Sequence, residues 1–178
     1  MHYFEELKKS MHYLAKNKKT IFVGQAVEYP GTAMTNTLKG INNKKLYEFP
    51  VAEEMQMGVS IGLSLNGFLP ISLFPRWNFL ILAMNQLVNH LDKIEDLSNG
   101  EYRPKVIIRT SVGSVKPLNP QKQHVGNFSS AFRKILTNVD IIELKESKQI
   151  FPAYKKASSL TNPKSTLIVE FGDFYNEK

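Results

Sequence analysis

Two kinds of hydrophobic pattern alternate along the chain. Apolar residues recur at helical spacing near the N-terminus, at Phe4, Leu7, Met11 and Leu14. This spacing predicts an amphipathic helix over residues 3–17. A short apolar run at residues 21–23 follows and ends at Gly24, a pattern typical of a buried strand whose carboxyl end opens into a loop.

The same alternation continues to the end of the sequence. The further predicted elements are a short helix at 35–40, a strand at 46–49, a helix at 52–66, a strand at 70–74, a helix at 78–97, a strand at 105–109, a helix near 128–136, a strand at 139–144, a helix at 150–160 and a strand at 165–171. Helices that alternate with strands predict an α/β protein, a three-layer αβα fold with a mainly parallel central sheet.

The helix predicted at 52–66 has two different sides. One side carries Met57, Ile61 and Leu65 at helical spacing, and Asn66-Gly67 ends the helix. The other side has small residues: Ala52, Gly58, Ser60, Gly62 and Ser64. Since small side chains let another backbone approach closely, we expect an interface at this helix. The helix at 78–97 is predicted to bury one stripe, formed by Leu80, Met84, Leu87 and Leu91.

Length and composition limit the classes of protein. With 178 residues, 42% hydrophobic and 22% charged, the chain is predicted to form one folded domain over residues 1–178. No apolar run is long enough to span a bilayer, and a mixed charged helix stands where a signal peptide would begin, so a cytoplasmic protein without membrane contact is expected. The absence of cysteine excludes disulfides and thiolate metal sites.

The net charge of +7 comes from lysines that occur in short groups along the chain. Such groups usually form a solvated face, whereas nucleic-acid binders more often show a continuous basic stripe with interleaved aromatic residues. We therefore expect no nucleic-acid partner. A phosphorylated or acidic partner stays open.

Five segments then occur in order: PVAE, GVSIG, NGFLPIS, WNF and NQLVNHLDK. In order and spacing they resemble the pyrimidine-binding domain of thiamine-diphosphate enzymes. The likeness is greatest to the β subunit of the decarboxylase component of pyruvate dehydrogenase, and transketolase carries a related domain. The resemblance extends over almost the whole chain.

The resemblance implies roles for two residues of the central stretch. Glu53 matches the glutamate of the family's P-x-x-E motif, which bonds the N1′ nitrogen of the cofactor and promotes the imino tautomer that activates the thiazolium carbon. Phe79 matches the aromatic residue that stacks on the pyrimidine ring. From the residues alone, Glu53 is equally a capping acid in a first helical turn, which the helix dipole favours by about 0.3 to 1 kcal/mol. Phe79 alone would be a core residue.

Two further positions are candidate site residues. His124, in QKQHVG, matches a histidine that the β subunits place near the reacting carbon. Gln25 follows the first predicted strand, at the edge where α/β sheets bind ligands, and we expect it to contact the cofactor. The β subunits carry an acid there, so Gln25 departs from their pattern. The residues alone also allow an ordinary turn at Gln25 and a surface or core role for His124.

The family's diphosphate and metal motif is missing. Gly172-Asp173 is followed by Phe174 instead of the second glycine of GDG. The resemblance therefore implies the pyrimidine-binding half of a split enzyme that uses thiamine diphosphate, with Mg²⁺ held by an α-type partner subunit and no metal ligand in this chain. It also implies a dimer or an α₂β₂ heterotetramer, and a ketose or 2-oxo acid as substrate. Transfer and decarboxylation both stay open, with transfer favoured by the neutral Gln25. The alternative is a non-catalytic pairing or regulatory module of the same fold.

Overall fold

A single parallel sheet forms the centre of the molecule in the computed structural model, which describes residues 2–116 and 119–176. Its six strands are β1 (Thr20–Gly24), β2 (Leu46–Glu48), β3 (Leu69–Phe74), β4 (Ile107–Val112), β5 (Val139–Glu143) and β6 (Ser165–Phe171). They lie in the order β2-β1-β3-β4-β6-β5, and every neighbouring pair is parallel. The predicted α/β class and parallel sheet are confirmed.

Helices cover both faces of this sheet. They are α1 (Tyr3–Ala15), α2 (Ala33–Asn36), α3 (Glu53–Leu65), α4 (Trp77–Leu80), α5 (Ile94–Leu97), α6 (Ser129–Ile135) and α7 (Ser147–Ser158). The buried residues form one core beneath α1 and α7 and a second core beneath α3, α4 and α6. This is the three-layer arrangement that the alternating pattern predicted. Within the described residues no helix combines the length and apolar character needed to cross a bilayer.

The helix predicted at 78–97 is not one regular helix. After α4 come a 3₁₀ turn at Ile81–Ala83 and a π-helix at Gln86–Leu91, before α5. The changes in helical pitch rotate the buried stripe, so Ala83 is buried while Met84 is 38% exposed. The expectation that Met84 lies in the core is wrong for this reason.

Asp92 fixes the end of this irregular segment. Its carboxylate is fully buried and accepts hydrogen bonds from the backbone N–H groups of Thr137 (2.9 Å), Asn138 (2.7 Å) and Val139 (3.1 Å) at the start of β5. Lys93 Nζ lies 2.8 Å from the same carboxylate. Burial opposes ionisation of Asp92, but the hydrogen bonds from Lys93, Asn138 and Thr137 outweigh it and lower the pKa of this carboxyl.

The strand predicted at 105–109 begins later and continues to Val112, so Arg109 lies inside the sheet. Its guanidinium donates to both carboxylate oxygens of Glu170 on β6, at 2.5 and 3.0 Å, and to the Thr37 hydroxyl at 2.8 Å. The hydroxyls of Tyr154 and Tyr175 also donate to Glu170. Burial alone would lower the pKa of Arg109, but the attraction of Glu170 outweighs it and raises that pKa. A charge can occupy this core only because all five groups are bonded together.

Candidate functional site

The carboxyl ends of the parallel strands meet at one edge of the sheet, and the loops that leave β1, β3, β4 and β6 surround a cleft there. This carboxyl-edge cleft has a volume of about 410 Å³, and its lining includes Asn36, Arg76, Phe79, Ser114 and Tyr175. Parallel α/β sheets commonly bind ligands outside the carboxyl ends of their strands. Of the predicted site residues, Phe79 therefore lies on a surface where a ligand is expected, and it is only partly buried.

Phe79 and His124 lie against each other. Their ring centroids are 5.0 Å apart with an interplanar angle of 43°. Arg76 lies in the loop after β3 and holds the loop after β4 in place. Its guanidinium donates to the carbonyl oxygens of His124 at 2.8 Å and of Ser114 at 3.3 Å. The Nδ1 atom of His124 is buried and has no hydrogen-bond partner within the described part of the chain. The structure thus brings two of the predicted residues, Phe79 and His124, into contact.

Glu53 is the first residue of α3 and is only 6% exposed. Within residues 2–116 and 119–176 its carboxylate has no hydrogen bond or ion pair. Its neighbour Glu54 differs, since Glu54 Oε1 accepts from Asn85 Nδ2 at 3.2 Å and from Gln86 Nε2 at 3.3 Å. Although the residue is mostly buried, it lines an open cleft. Its carboxylate can therefore bind a group that the chain itself does not supply.

A second cleft, of about 740 Å³, opens beside Glu53. We call it the α3 cleft. Its walls include Met55, Val59, Leu82 and Gln86. Glu53 and Phe79 thus line different clefts, although Leu82 and Gln86 belong to the same helical region, residues 77–91, that carries Phe79.

Gln56 fixes the orientation of α3, a role that the sequence reasoning missed. It is 1% exposed, and its Nε2 donates to the Leu73 carbonyl at 2.9 Å and to the Ser72 hydroxyl at 3.1 Å. Because Gln56 follows Glu53 by one helical turn, this contact holds the Glu53 end of α3 against the carboxyl end of β3. No signal in the sequence indicated this role, because Gln56 lies beside the stripe of Met57 and Ile61, on the side that it shares with Ser60.

Gln25 lies in the loop after β1, is partly exposed, and lines neither cleft. The loop itself is tightly held, because the carboxylate of Glu48 at the end of β2 accepts from three successive backbone N–H groups, those of Ala26 (2.6 Å), Val27 (2.8 Å) and Glu28 (2.9 Å). Ala26 has a φ of 51°, so the backbone curves around the carboxylate. Glu48 is a second residue that the sequence reasoning missed.

Asp173, which follows Gly172 after β6, makes a hydrogen bond that supports the fold. Asp173 Oδ1 accepts from the Val115 N–H at 2.9 Å, which ties the loop after β4 to the end of β6. In the described parts of the chain no three histidine, aspartate or glutamate side chains come together as metal ligands.

Known proteins resemble this chain in sequence and in fold. No family model matches the chain. The pyruvate dehydrogenase E1 component subunit beta of Cyanidium caldarium is 29% identical over 126 residues, which are 68% of this chain and 38% of that protein. A solved structure, split gene transketolase as an inactive β4 tetramer, has a TM-score of 0.70 at 17% identity and is matched over 94% of this chain and 50% of its own.

The thiamine diphosphate-dependent 4-hydroxybenzoylformate decarboxylase of Rhodococcus jostii RHA1 has the same fold over 95% of this chain and 30% of its own length, with a TM-score of 0.65 and 12% identity. The chain spans half or less of the length of these three proteins. Similarity in sequence to a pyruvate dehydrogenase β subunit, and in fold to thiamine diphosphate-dependent enzymes, confirms the resemblance that the motifs from Pro50 to Lys93 predicted.

Proposed function

We propose that this chain is the pyrimidine-binding subunit of a split thiamine-diphosphate enzyme that makes or breaks a carbon–carbon bond next to a carbonyl group. The observation that carries the proposal is Glu53, a nearly buried carboxylate without a partner in the described residues, at the position of the family's cofactor-activating glutamate. A capping acid would normally lie exposed to water, where the helix dipole stabilises it at little desolvation cost. The burial of Glu53 favours the cofactor role.

The residues present fit the pyrimidine end of thiamine diphosphate. The α3 cleft is open beside Glu53, and one proton shared between the carboxyl group and a ring nitrogen there would give Glu53 the hydrogen bond that it lacks. When bound, the cofactor supplies a carbon nucleophile at its thiazolium ring. The part of Glu53 is to hold and share a proton at the pyrimidine nitrogen, and the part of Gln56 is to keep Glu53 in place.

We also propose roles for the other predicted site residues, Phe79, His124 and Gln25. We propose that Phe79 packs against the pyrimidine and that His124, whose ring lies against Phe79, moves or donates a proton near the substrate. Gln25 cannot exchange protons as an acid does, so we propose only a hydrogen-bonding role for it. Glu53 and Phe79 line different clefts of this chain, and we propose that the partner subunit covers both surfaces and so completes the site.

The proposed partner is an α-type, diphosphate-binding subunit that also holds Mg²⁺. Apolar side chains are exposed around the α3 cleft: Val51 (80%), Met55 (48%), Val59 (39%) and Leu82 (60%). Burial of such side chains on association stabilises a complex by roughly 25 cal/mol per Å² of apolar surface. We propose that this surface, with Gly58 and Gly62 of α3, forms the contact in a dimer or an α₂β₂ assembly. Ser60 takes no part, because it is buried and bonded to Ser72 at 3.1 Å.

Calorimetric titration tests the split-enzyme proposal. The purified chain should bind thiamine diphosphate with Mg²⁺ no more tightly than it binds thiamine, since its described residues form no cluster of metal ligands that would hold Mg²⁺ and, through it, the diphosphate. The assembly isolated from cells through a tagged copy of the chain should instead prefer thiamine diphosphate strongly. Micromolar binding by the isolated chain, with a clear preference for the diphosphate, would contradict the proposal.

The same assembly distinguishes the proposed catalytic subunit from the alternative, a non-catalytic pairing or regulatory module. A non-catalytic pairing module would assemble normally, and the Glu53→Gln variant of it would turn over substrate at the unchanged rate. A ketose donor and a 2-oxo acid, offered in parallel, decide between transfer and decarboxylation.

A further inference from the structure

The loops that lead into the strands gather at the edge of the sheet opposite the carboxyl-edge cleft. We call this surface the amino edge and define it as residues 16–19, 42–45, 97–106, 134–138 and 155–164. Its lysines are Lys16, Lys18, Lys19, Lys44, Lys45, Lys105, Lys134, Lys155, Lys156 and Lys164. Groups that are scattered along the sequence thus meet on one side of the molecule, because parallel strands all begin at the same edge.

Hydrogen bonds join the separate loops of this edge. Lys45 Nζ donates to the Asn17 carbonyl at 2.8 Å, Lys105 Nζ to the Asn162 carbonyl at 2.6 Å, and Lys164 Nζ to the Thr137 carbonyl at 3.4 Å. A cavity of about 270 Å³ with Lys16 and Ser158 in its lining connects the end of α1 to the end of α7. The amino edge is therefore one continuous surface.

The positive charge of this surface is largely uncompensated. None of its lysines forms an ion pair with a carboxylate within residues 2–116 and 119–176. Two nearby acids are already bonded: Glu95 pairs with Arg103 at 3.0 Å, and Asp96 accepts from Asn138 Nδ2 at 2.9 Å. The surface itself carries one carboxylate, that of the exposed Glu101, against its ten lysines. A solvated surface would more commonly mix both signs of charge.

Exposed apolar side chains lie among these lysines. Leu97 is 78% exposed, Tyr102 54% and Leu160 99%. The bond from Lys105 to the Asn162 carbonyl brings the loop of Leu160 next to the segment that contains Tyr102. Exposed apolar side chains that form one patch with a polar rim mark a protein interaction site.

The residue composition of the amino edge favours a protein partner over a nucleic-acid partner. Nucleic-acid surfaces rely on arginine forks and on exposed aromatic rings for stacking. On the described amino edge the one arginine, Arg103, is already paired with Glu95, and leucines supply most of the exposed apolar surface. Lysine side chains can pair individually with the scattered carboxylates of an acidic protein.

We propose that the amino edge is a docking surface for an acidic protein partner that presents carboxylates around an apolar centre. The partner would bind at the opposite end of the sheet from the carboxyl-edge cleft and would leave that cleft open. This inference does not depend on the cofactor role of Glu53.

The test uses a fluorescent synthetic peptide, rich in glutamate with leucine at every fourth position, and measures its binding to the full chain by anisotropy. One variant reverses four exposed amino-edge lysines whose side chains make no hydrogen bonds in the described structure: Lys18→Glu, Lys44→Glu, Lys155→Glu and Lys156→Glu. A matched variant makes the same charge change at the other end of the molecule: Lys116→Glu, Lys122→Glu, Lys145→Glu and Lys148→Glu.

We expect the amino-edge variant to bind the peptide at least roughly tenfold more weakly, and the matched variant to bind within about threefold of the wild type. Leu160→Ser should weaken binding of this peptide but not of poly-glutamate, which offers no apolar contact. Equal losses in both charge variants, or no binding to the wild type, would overturn the proposal. Tighter binding of duplex DNA or of phosphatidylserine vesicles than of the peptide would also overturn it.

Discussion

Replacement of the buried Asp92 by asparagine should destabilise the protein strongly without altering the shape of the side chain. One carboxylate oxygen accepts the N–H groups of Thr137, Asn138 and Val139, and the introduced amide could keep these bonds through its remaining oxygen. The other oxygen accepts from the Thr137 hydroxyl at 3.0 Å and lies near Lys93 Nζ. The new amide group would present hydrogens to these two partners and would leave the Lys93 charge without a counterion.

The magnitude follows from the bonds that change. Hydrogen bonds to charged groups contribute about 1.5 to 3 kcal/mol each, and the three backbone bonds weaken when the acceptor becomes neutral. We expect the free energy of unfolding to fall by about 2 to 4 kcal/mol. The matched control is Asp96→Asn, since Asp96 is exposed and its carboxylate accepts only from Asn138 Nδ2, at 2.9 Å, in the described structure. This control should lose less than about 1 kcal/mol.

Urea unfolding at several pH values provides the assay. The pKa of Asp92 is lower in the folded protein than in the unfolded chain, where it is about 3.9. The stabilisation by Asp92 is therefore fully present above the unfolded pKa and is lost as the pH falls through the folded pKa. The difference between wild type and Asp92→Asn should be constant near neutral pH and shrink in acid. A difference below about 1 kcal/mol at pH 7, or one that grows in acid, would refute this reasoning.

Three further changes have defined outcomes. Glu48→Gln should speed amide hydrogen exchange at residues 26–28, measured by mass spectrometry, by at least about tenfold. The reason is that an amide cannot accept three N–H groups as a carboxylate does. Glu28→Gln is the control and should leave this exchange near the wild-type rate. Arg109→Met should cost about 3 to 5 kcal/mol in urea unfolding, since it leaves Glu170 charged and buried, and adding Glu170→Gln should recover part of the loss. His124→Ala should leave the unfolding midpoint nearly unchanged while it slows turnover of the assembled enzyme; unchanged kinetics would remove His124 from the site.

The sequence was sufficient to predict the layers of the fold but not its irregular parts. Apolar runs such as residues 21–23 predicted buried strands, because periodicity depends on local burial alone. The predicted start of α7 was late because a capping box between Glu146 and Gln149 begins the helix at Ser147. The irregular helix at 78–97 ends at Asp92, whose carboxylate binds backbone N–H groups at the start of β5, a contact between residues distant in sequence.

The candidate site, too, could be predicted only in part from the sequence. The resemblance selected Glu53, Phe79 and His124. The structure adds that Glu53 has no partner among the described residues and that the rings of Phe79 and His124 are in contact. Glu48 and Gln56 were missed because each acts on the backbone of another strand or loop, which no local pattern reveals. The amino edge was missed for a related reason, since the sheet topology collects lysines that are far apart in sequence.

The central claim is that Glu53 activates a bound cofactor, and exchange of the thiazolium C2 proton, followed by NMR in the assembled enzyme, tests it most directly. Glu53→Gln keeps the size of the side chain and removes its ability to share a proton, whereas Glu54→Gln makes the same change at a neighbour already bonded to Asn85 and Gln86. We predict that exchange slows by about 10² to 10⁴ in Glu53→Gln and stays near the wild-type rate in Glu54→Gln, with cofactor affinity altered much less. Equal exchange rates in wild type and Glu53→Gln would contradict the account.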